Sequence, residues 1–180
     1  MSILGTSQYQ LDRSLRSLKQ NQMSALDNIY CLMYNSVFKY VFSLIRDYHV
    51  AEDITQEVFL RVLKYRNRYL DGSNAKAWIY TIAKNLVFTK MKQQKEFALE
   101  DDKLTYLIDS NCLLEQSDLS FVKEAFDILK YQEQQIVSLH LYGGLKHYET
   151  AKVLGIPYSQ VRSTYTYALK KIAKKLGDKI

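Results

Sequence analysis

Apolar residues recur at helical spacing in three successive stretches of the first half of the chain. From Gln22 to Arg46 the repeat is Leu26, Ile29, Tyr30, Met33, Val37, Val41 and Ile45, followed by a short polar break at Asp47–His49. A second helix is predicted over about 50–65, with Ile54, Val58 and Val62 on one stripe and Phe59 and Leu63 beside it. Arg66–Asn74 reads as a polar loop because it contains Asp71-Gly72-Ser73-Asn74, a strong turn signal. A third helix is predicted from Ala75 to about Lys95, with Trp78, Ile82 and Leu86 at every fourth position, Trp78 being read as core. Clean periodicity then lapses from Glu96 to Asp118 and resumes through Phe121, Ala125, Leu129, Ile136 and Leu139. The pattern predicts an all-α chain in three parts: a helical domain over 1–95, a linker over 96–118, and a second helical domain over 119–180.

Charge changes this picture. The net +6 divides into +7 over residues 1–95, −6 over 96–118 and +5 over 119–180. A merely solvated surface interleaves its signs, so this segregation points to two polyanion-binding units and an acidic linker with a different electrostatic task. Cys31 and Cys112 make no metal-ligand or CxxC spacing and read as reduced thiols. No stretch has the apolar length of a signal peptide or membrane span, so a cytoplasmic protein without membrane insertion is expected.

The sharpest local signal runs from Lys146 to Tyr167. Two helices crossing steeply need a small residue at their approach, a glycine in the turn and an apolar anchor on the second helix. Ala151, Gly155 and Val161 supply these, with Leu154 and Ile156 between them and Pro157 at or just inside the second helix. The second helix would expose Gln160, Arg162, Ser163, Thr166 and Tyr167, then continue into Lys170, Lys171, Lys174 and Lys175. No acid occurs between Glu149 and Asp178. That balance suits a major-groove helix, with base readers first and phosphate-neutralising lysines after.

The segments 51–62 (Ala-Glu-Asp-Ile-Thr-Gln-Glu-Val-Phe-Leu-Arg-Val) and 77–86 (Ala-Trp-Ile-Tyr-Thr-Ile-Ala-Lys-Asn-Leu) resemble the sigma-two domain of sigma factors of the extracytoplasmic-function type. The run from Ala125 to Leu176 resembles their sigma-four domain, in the right order and at the right separation. The resemblance implies a sigma-two-like bundle and a sigma-four-like helix-turn-helix joined by the acidic linker. It implies an alternative sigma factor that binds the largest subunits of core RNA polymerase and promoter DNA, with an anti-sigma factor as a further partner.

Specific residues follow from it. Asp53, Gln56 and Glu57 lie off the Ile54/Val58/Val62 stripe and would dock on core polymerase; as plain chemistry they are a solvated helix face. The loop from Arg66 through Arg68 to Asn74 would capture a flipped base of the minus-ten element. The helix after it has five lysines and no acid between Lys76 and Lys95. Lys76, Tyr80, Lys84, Asn85, Phe88 and Lys92 would hold phosphates and unstacked bases there. Gln160, Arg162, Ser163, Thr166, Tyr167, Lys170 and Lys171 would read the minus-thirty-five element. The linker would thread the polymerase channel that later carries RNA, although a solvated tether explains its composition equally well.

Where the family commonly has a proline opening the sigma-four helix, this chain has Lys130, and Thr164 and Tyr165 replace basic or aliphatic residues. His49, His140 and His147 make no catalytic or metal spacing, and no nucleophile motif or phosphate loop is present, so no enzyme, metal or cofactor is expected. The other reading left open is a self-standing helix-turn-helix regulator whose N-terminal bundle dimerises or senses a ligand.

Overall fold

The computed structural model describes residues 3–100 and 126–177. Among these the chain is all-α, in the order α1 (Ile3–Lys19), α2 (Ser24–Ile45), α3 (Tyr48–Lys64), a 3-10 turn (Arg66–Arg68), α4 (Ala75–Glu100), α5 (Tyr131–Leu141), α6 (His147–Leu154) and α7 (Tyr158–Gly177). Helices α2 to α4 fall where apolar periodicity placed them, although α4 runs five residues past Lys95. The rest of the expected linker, from Asp101 to Asp118, lies outside the described residues, as do Cys112, Phe121 and Ala125.

Helix α1 had not been anticipated. It buries Leu11, Leu15 and Leu18 against the bundle, and its polar face turns toward the loop between α3 and α4. Local chemistry starts the next helices. Asp47 caps α3 by accepting from Val50 N at 2.9 Å, and Asn74 caps α4 by accepting from Ala77 N at 2.9 Å. The N-terminal core is built from Ile29, Met33, Val37, Val41, Ile54, Val58, Val62, Ile79 and Val87, among others.

In the C-terminal unit, Glu133 and Glu149 reach back to the amides of Lys130 (2.8 Å) and Lys146 (2.6 Å), closing the first turns of α5 and α6. Gly155 ends α6 at φ 69°, a left-handed geometry that favours glycine, and Ile136, Ala151 and Val161 bury together around the turn. These features make α6 and α7 a helix-turn-helix.

The two units pack against each other. Leu139, Leu145 and Val153 join the N-terminal core, and α4 lies against α6 while α2 lies against α5. Ser43 and Ser138 share a hydrogen bond of 2.8 Å between their hydroxyls, and Arg46 pairs with Asp127. Gly143 passes so close to Tyr80 that a Cβ there would stand 3.1 Å from the Tyr80 ring and 2.4 Å from Leu139 O.

Candidate nucleic-acid interface

Four surfaces carry the residues picked out in the sequence. On α3, Asp53 and Gln56 are exposed, and Glu57 is half-buried and accepts from Arg61 Nε at 2.8 Å. Leu60 stands beside them at 60% exposure, and Tyr30 of α2 rests on Phe59 with ring centroids 4.8 Å apart. An exposed apolar patch edged by carboxylates suits a protein partner better than a polyanion. Leu60 was missed; its signal was an apolar residue standing off the buried stripe.

The loop following α3 is built, not slack. Arg66 is half-buried; it donates to Leu63 O and to Asn21 Oδ1, each at 2.9 Å. Its guanidinium therefore braces the loop. Arg68 is exposed, stacked 4.7 Å from the centroid of Tyr65. Asn74 is spent twice, as the cap of α4 and as donor to Glu149 Oε1 at 2.6 Å.

Along α4, Asn85, Phe88 and Lys92 are exposed, Lys76 and Lys84 are half-buried, and Phe88 shows 61% of its surface. Tyr80 corrects the sequence expectation. It is 0% exposed, packed edge-on to Tyr40 at 5.4 Å and covered by the C-terminal unit at Gly143. In this arrangement it is a core residue and no base can reach it. Trp78 is only partly buried, its ring 5.5 Å from that of Tyr69.

On α7 the N-terminal half displays Gln160, Arg162, Ser163, Thr166 and Tyr167, and Lys170 follows in the next turn, all exposed. Gln160 Nε2 donates to Gln132 Oε1 of α5 at 3.4 Å, and the Arg162 guanidinium lies 5.9 Å from the Tyr158 ring centroid. Lys171 is the second correction. Its ammonium is tied to both carboxylate oxygens of buried Glu133, at 2.9 and 2.8 Å. Burial alone would raise the Glu133 pKa, but the Lys171 ammonium and the Lys130 amide outweigh it and hold the carboxyl below its usual value. Lys171 locks α7 onto α5 and is not free to bind a phosphate.

At the base of α7, His140, His147 and Tyr165 gather with ring centroids 4.7 to 5.3 Å apart. Among the described residues no group of three or more His, Cys, Asp or Glu is placed to hold a metal ion, and no helix is long and apolar enough to cross a membrane.

Comparison with known proteins bears on the whole arrangement. Residues 30–97 match the family Sigma-70 region 2, and residues 122–172 match Sigma-70, region 4. The RNA polymerase sigma factor HrpL of Pseudomonas syringae pv. syringae is 33% identical over 126 residues, covering 66% of this chain and 68% of HrpL. The ECF RNA polymerase sigma factor BldN of Streptomyces coelicolor is 28% identical over 166 residues, covering 87% of this chain and 62% of BldN. The chain thus spans a little under two thirds of that relative. The fold is similar to that of the sigma factor RpoE in complex with the anti-sigma factor NepR from Bartonella quintana, at TM-score 0.74 and 20% identity, over 84% of this chain and 96% of that one. It is also similar to CnrH in complex with the cytosolic domain of CnrY, at TM-score 0.73 and 15% identity, over 94% and 98% of the two chains. With both of its helical units matched in order, the chain belongs to the sigma-70 family, in its extracytoplasmic-function branch.

Proposed function

We propose that the chain is an alternative sigma factor that acts in the cytoplasm, binds core RNA polymerase and directs it to a restricted set of promoters. The observation that carries this reading is the coexistence, in one chain, of two different kinds of surface. The α7 face is acid-free and studded with hydrogen-bonding side chains, as DNA reading demands, whereas the Asp53/Gln56/Leu60 face of α3 is acidic and apolar, as a basic protein partner demands. A self-standing repressor would have to use that face to dimerise, and an isologous contact there brings the Asp53 and Glu57 carboxylates of two copies together, which like charge opposes.

The division of labour follows the units. Residues 1–95 engage the polymerase and open the minus-ten element, residues 119–180 read the minus-thirty-five element, and 96–118 connect them. Asp53, Gln56 and Glu57 meet the largest core subunits, with Leu60 as their apolar centre. Arg68, Lys76, Lys84, Asn85, Phe88 and Lys92 line the melted strand, while Gln160, Arg162, Ser163, Thr166, Tyr167 and Lys170 enter the major groove. An anti-sigma factor is a further partner, by likeness to the RpoE and CnrH folds solved with NepR and CnrY.

The deciding experiment is transcription in vitro with purified core polymerase, this protein and genomic fragments, with start sites mapped. Promoter-specific initiation that depends on the protein is expected. A protein that ignores core enzyme yet protects a symmetric operator unaided belongs to the repressor class, and the proposal fails.

A further inference from the structure

Asp12 is a carboxylate on α1 with only 8% of its surface exposed, a placement that costs free energy unless the charge is bonded. Two of its donors come from a segment sixty residues away. Tyr69 Oη lies 2.5 Å and Gly72 N 2.9 Å from Asp12 Oδ1, while Arg16 Nη2 holds Oδ2 at 2.6 Å. Two turns further along α1, Lys19 Nζ donates to Tyr69 O at 3.2 Å and to Asp71 Oδ1 at 2.7 Å. Helix α1 thus grips the loop between α3 and α4 along its inner edge.

The outer edge of that loop is open. Leu70 is 75% exposed, Asp71, Gly72 and Ser73 are exposed, and Gly72 sits at φ 78°, where a side chain would be strained. Tyr69 hands the anchor onward, its hydroxyl also 2.9 Å from Ser73 O and its ring against Trp78 of α4. Capturing an unstacked base costs several kcal/mol of lost stacking, and a loop already held in the receiving shape spares the ordering cost on top of it.

We infer that Asp12 is the positioning residue of the base-capturing loop, fixing Tyr69 and Gly72 so that the rim from Leu70 to Ser73 receives the flipped minus-ten base. The inference rests on the proposed role of that loop in promoter opening. It makes α1 part of promoter recognition although α1 itself touches no base.

The test uses holoenzyme assembled with wild-type protein, Asp12→Ala, Asp12→Asn, Tyr69→Phe and the surface control Arg13→Ala. Four readings are taken: core binding, permanganate reactivity of minus-ten thymines, base preference at each minus-ten position, and hydrogen exchange at the Gly72 amide. Asp12→Ala is expected to speed Gly72 exchange, lower melting about tenfold and flatten preference at one position, with core binding unchanged. Asp12→Asn, which keeps an acceptor oxygen, falls between it and wild type. A premelted bubble template should recover most of the lost activity. Faster Gly72 exchange with unchanged melting and preference would reduce Asp12 to a purely structural role and overturn the inference. If Asp12→Ala fails to fold, Asp12→Asn and Tyr69→Phe decide by the same readings. Should Leu70→Ala and Arg68→Ala leave base preference intact in wild-type background, the loop's own role falls and the inference with it; if those two variants change preference while Asp12→Ala does not, the inference alone fails.

Discussion

Asn74 Nδ2 donates to Glu149 Oε1 across 2.6 Å, joining the end of the loop between α3 and α4 to the first turn of the helix-turn-helix. The same Glu149 oxygen accepts from Tyr148 Oη at 3.0 Å, and the other one closes the α6 turn on Lys146 N. A single carboxylate thereby caps a helix and ties the two units together, and the amide it engages is one that base capture would call on.

Replacing Glu149 with Gln keeps an oxygen for the Lys146 amide but turns an –NH2 group toward the Asn74 amide, donor against donor. A hydrogen bond to a charged group contributes about 1.5–3 kcal/mol, so the packed arrangement should lose roughly tenfold or more in population against a separated one. Small-angle scattering of the isolated protein is expected to show a larger radius of gyration for Glu149→Gln. An unchanged radius would mean that the shared apolar core around Leu139 and Leu145 holds the units together without this bond.

How much of this was legible beforehand varied with the kind of signal. Helices α2 to α4 and the turn at Gly155 were readable because an apolar repeat and a required left-handed glycine are local properties. Helix α1 was not, since Leu11, Leu15 and Leu18 form only a short stripe among polar residues. Tyr80 was misplaced for a different reason. A helix covered from two sides buries a wider arc than one stripe, and nothing local announces that the C-terminal unit covers the second side. Lys171 looked like one lysine in a row of four because its partner, Glu133, lies 38 residues earlier.

That partnership contributes to the stability of the C-terminal unit. Lys171→Met leaves the Glu133 carboxylate with only the Lys130 amide as donor, and losing a charged hydrogen bond to a mostly buried carboxylate costs about 1.5–3 kcal/mol. Lys170→Met, at an exposed position one residue away, should change stability by less than about 0.5 kcal/mol. Urea denaturation of the two variants, followed by helical circular dichroism, makes the comparison. Equal midpoints would mean that Glu133 is solvated in solution.

Acid should act on the same unit through His147. Burial lowers its pKa, and the neighbouring His140 and Arg162 lower it further, so the folded state favours the neutral ring while the unfolded state titrates near the ordinary histidine value. Between those two values the unfolded chain binds more protons, and stability therefore falls as pH drops below about 6.5. Asp12 and Glu133, also held below their usual values, add losses of the same sign only at lower pH. Thermal unfolding at pH 7.5 and 5.5 is expected to show a lower midpoint in acid for wild type and a smaller difference for His147→Gln. An equal difference in both proteins would assign the effect to other groups.

Arg162 and Lys170 test whether base reading and phosphate holding are separate tasks on α7. Both are exposed, but Arg162 stands in the N-terminal half beside Tyr158, where a major-groove helix meets base edges, and Lys170 lies two turns further along toward the phosphates. Arg162→Ala should cost about 1–3 kcal/mol on the cognate minus-thirty-five element and relax preference at one base pair. Lys170→Ala should weaken every sequence alike and reduce the salt slope by about one. Holoenzyme binding to a panel of single-base promoter variants at several salt concentrations distinguishes them. If Arg162→Ala weakens all variants equally, its guanidinium holds the backbone and base reading falls to Gln160 and its neighbours.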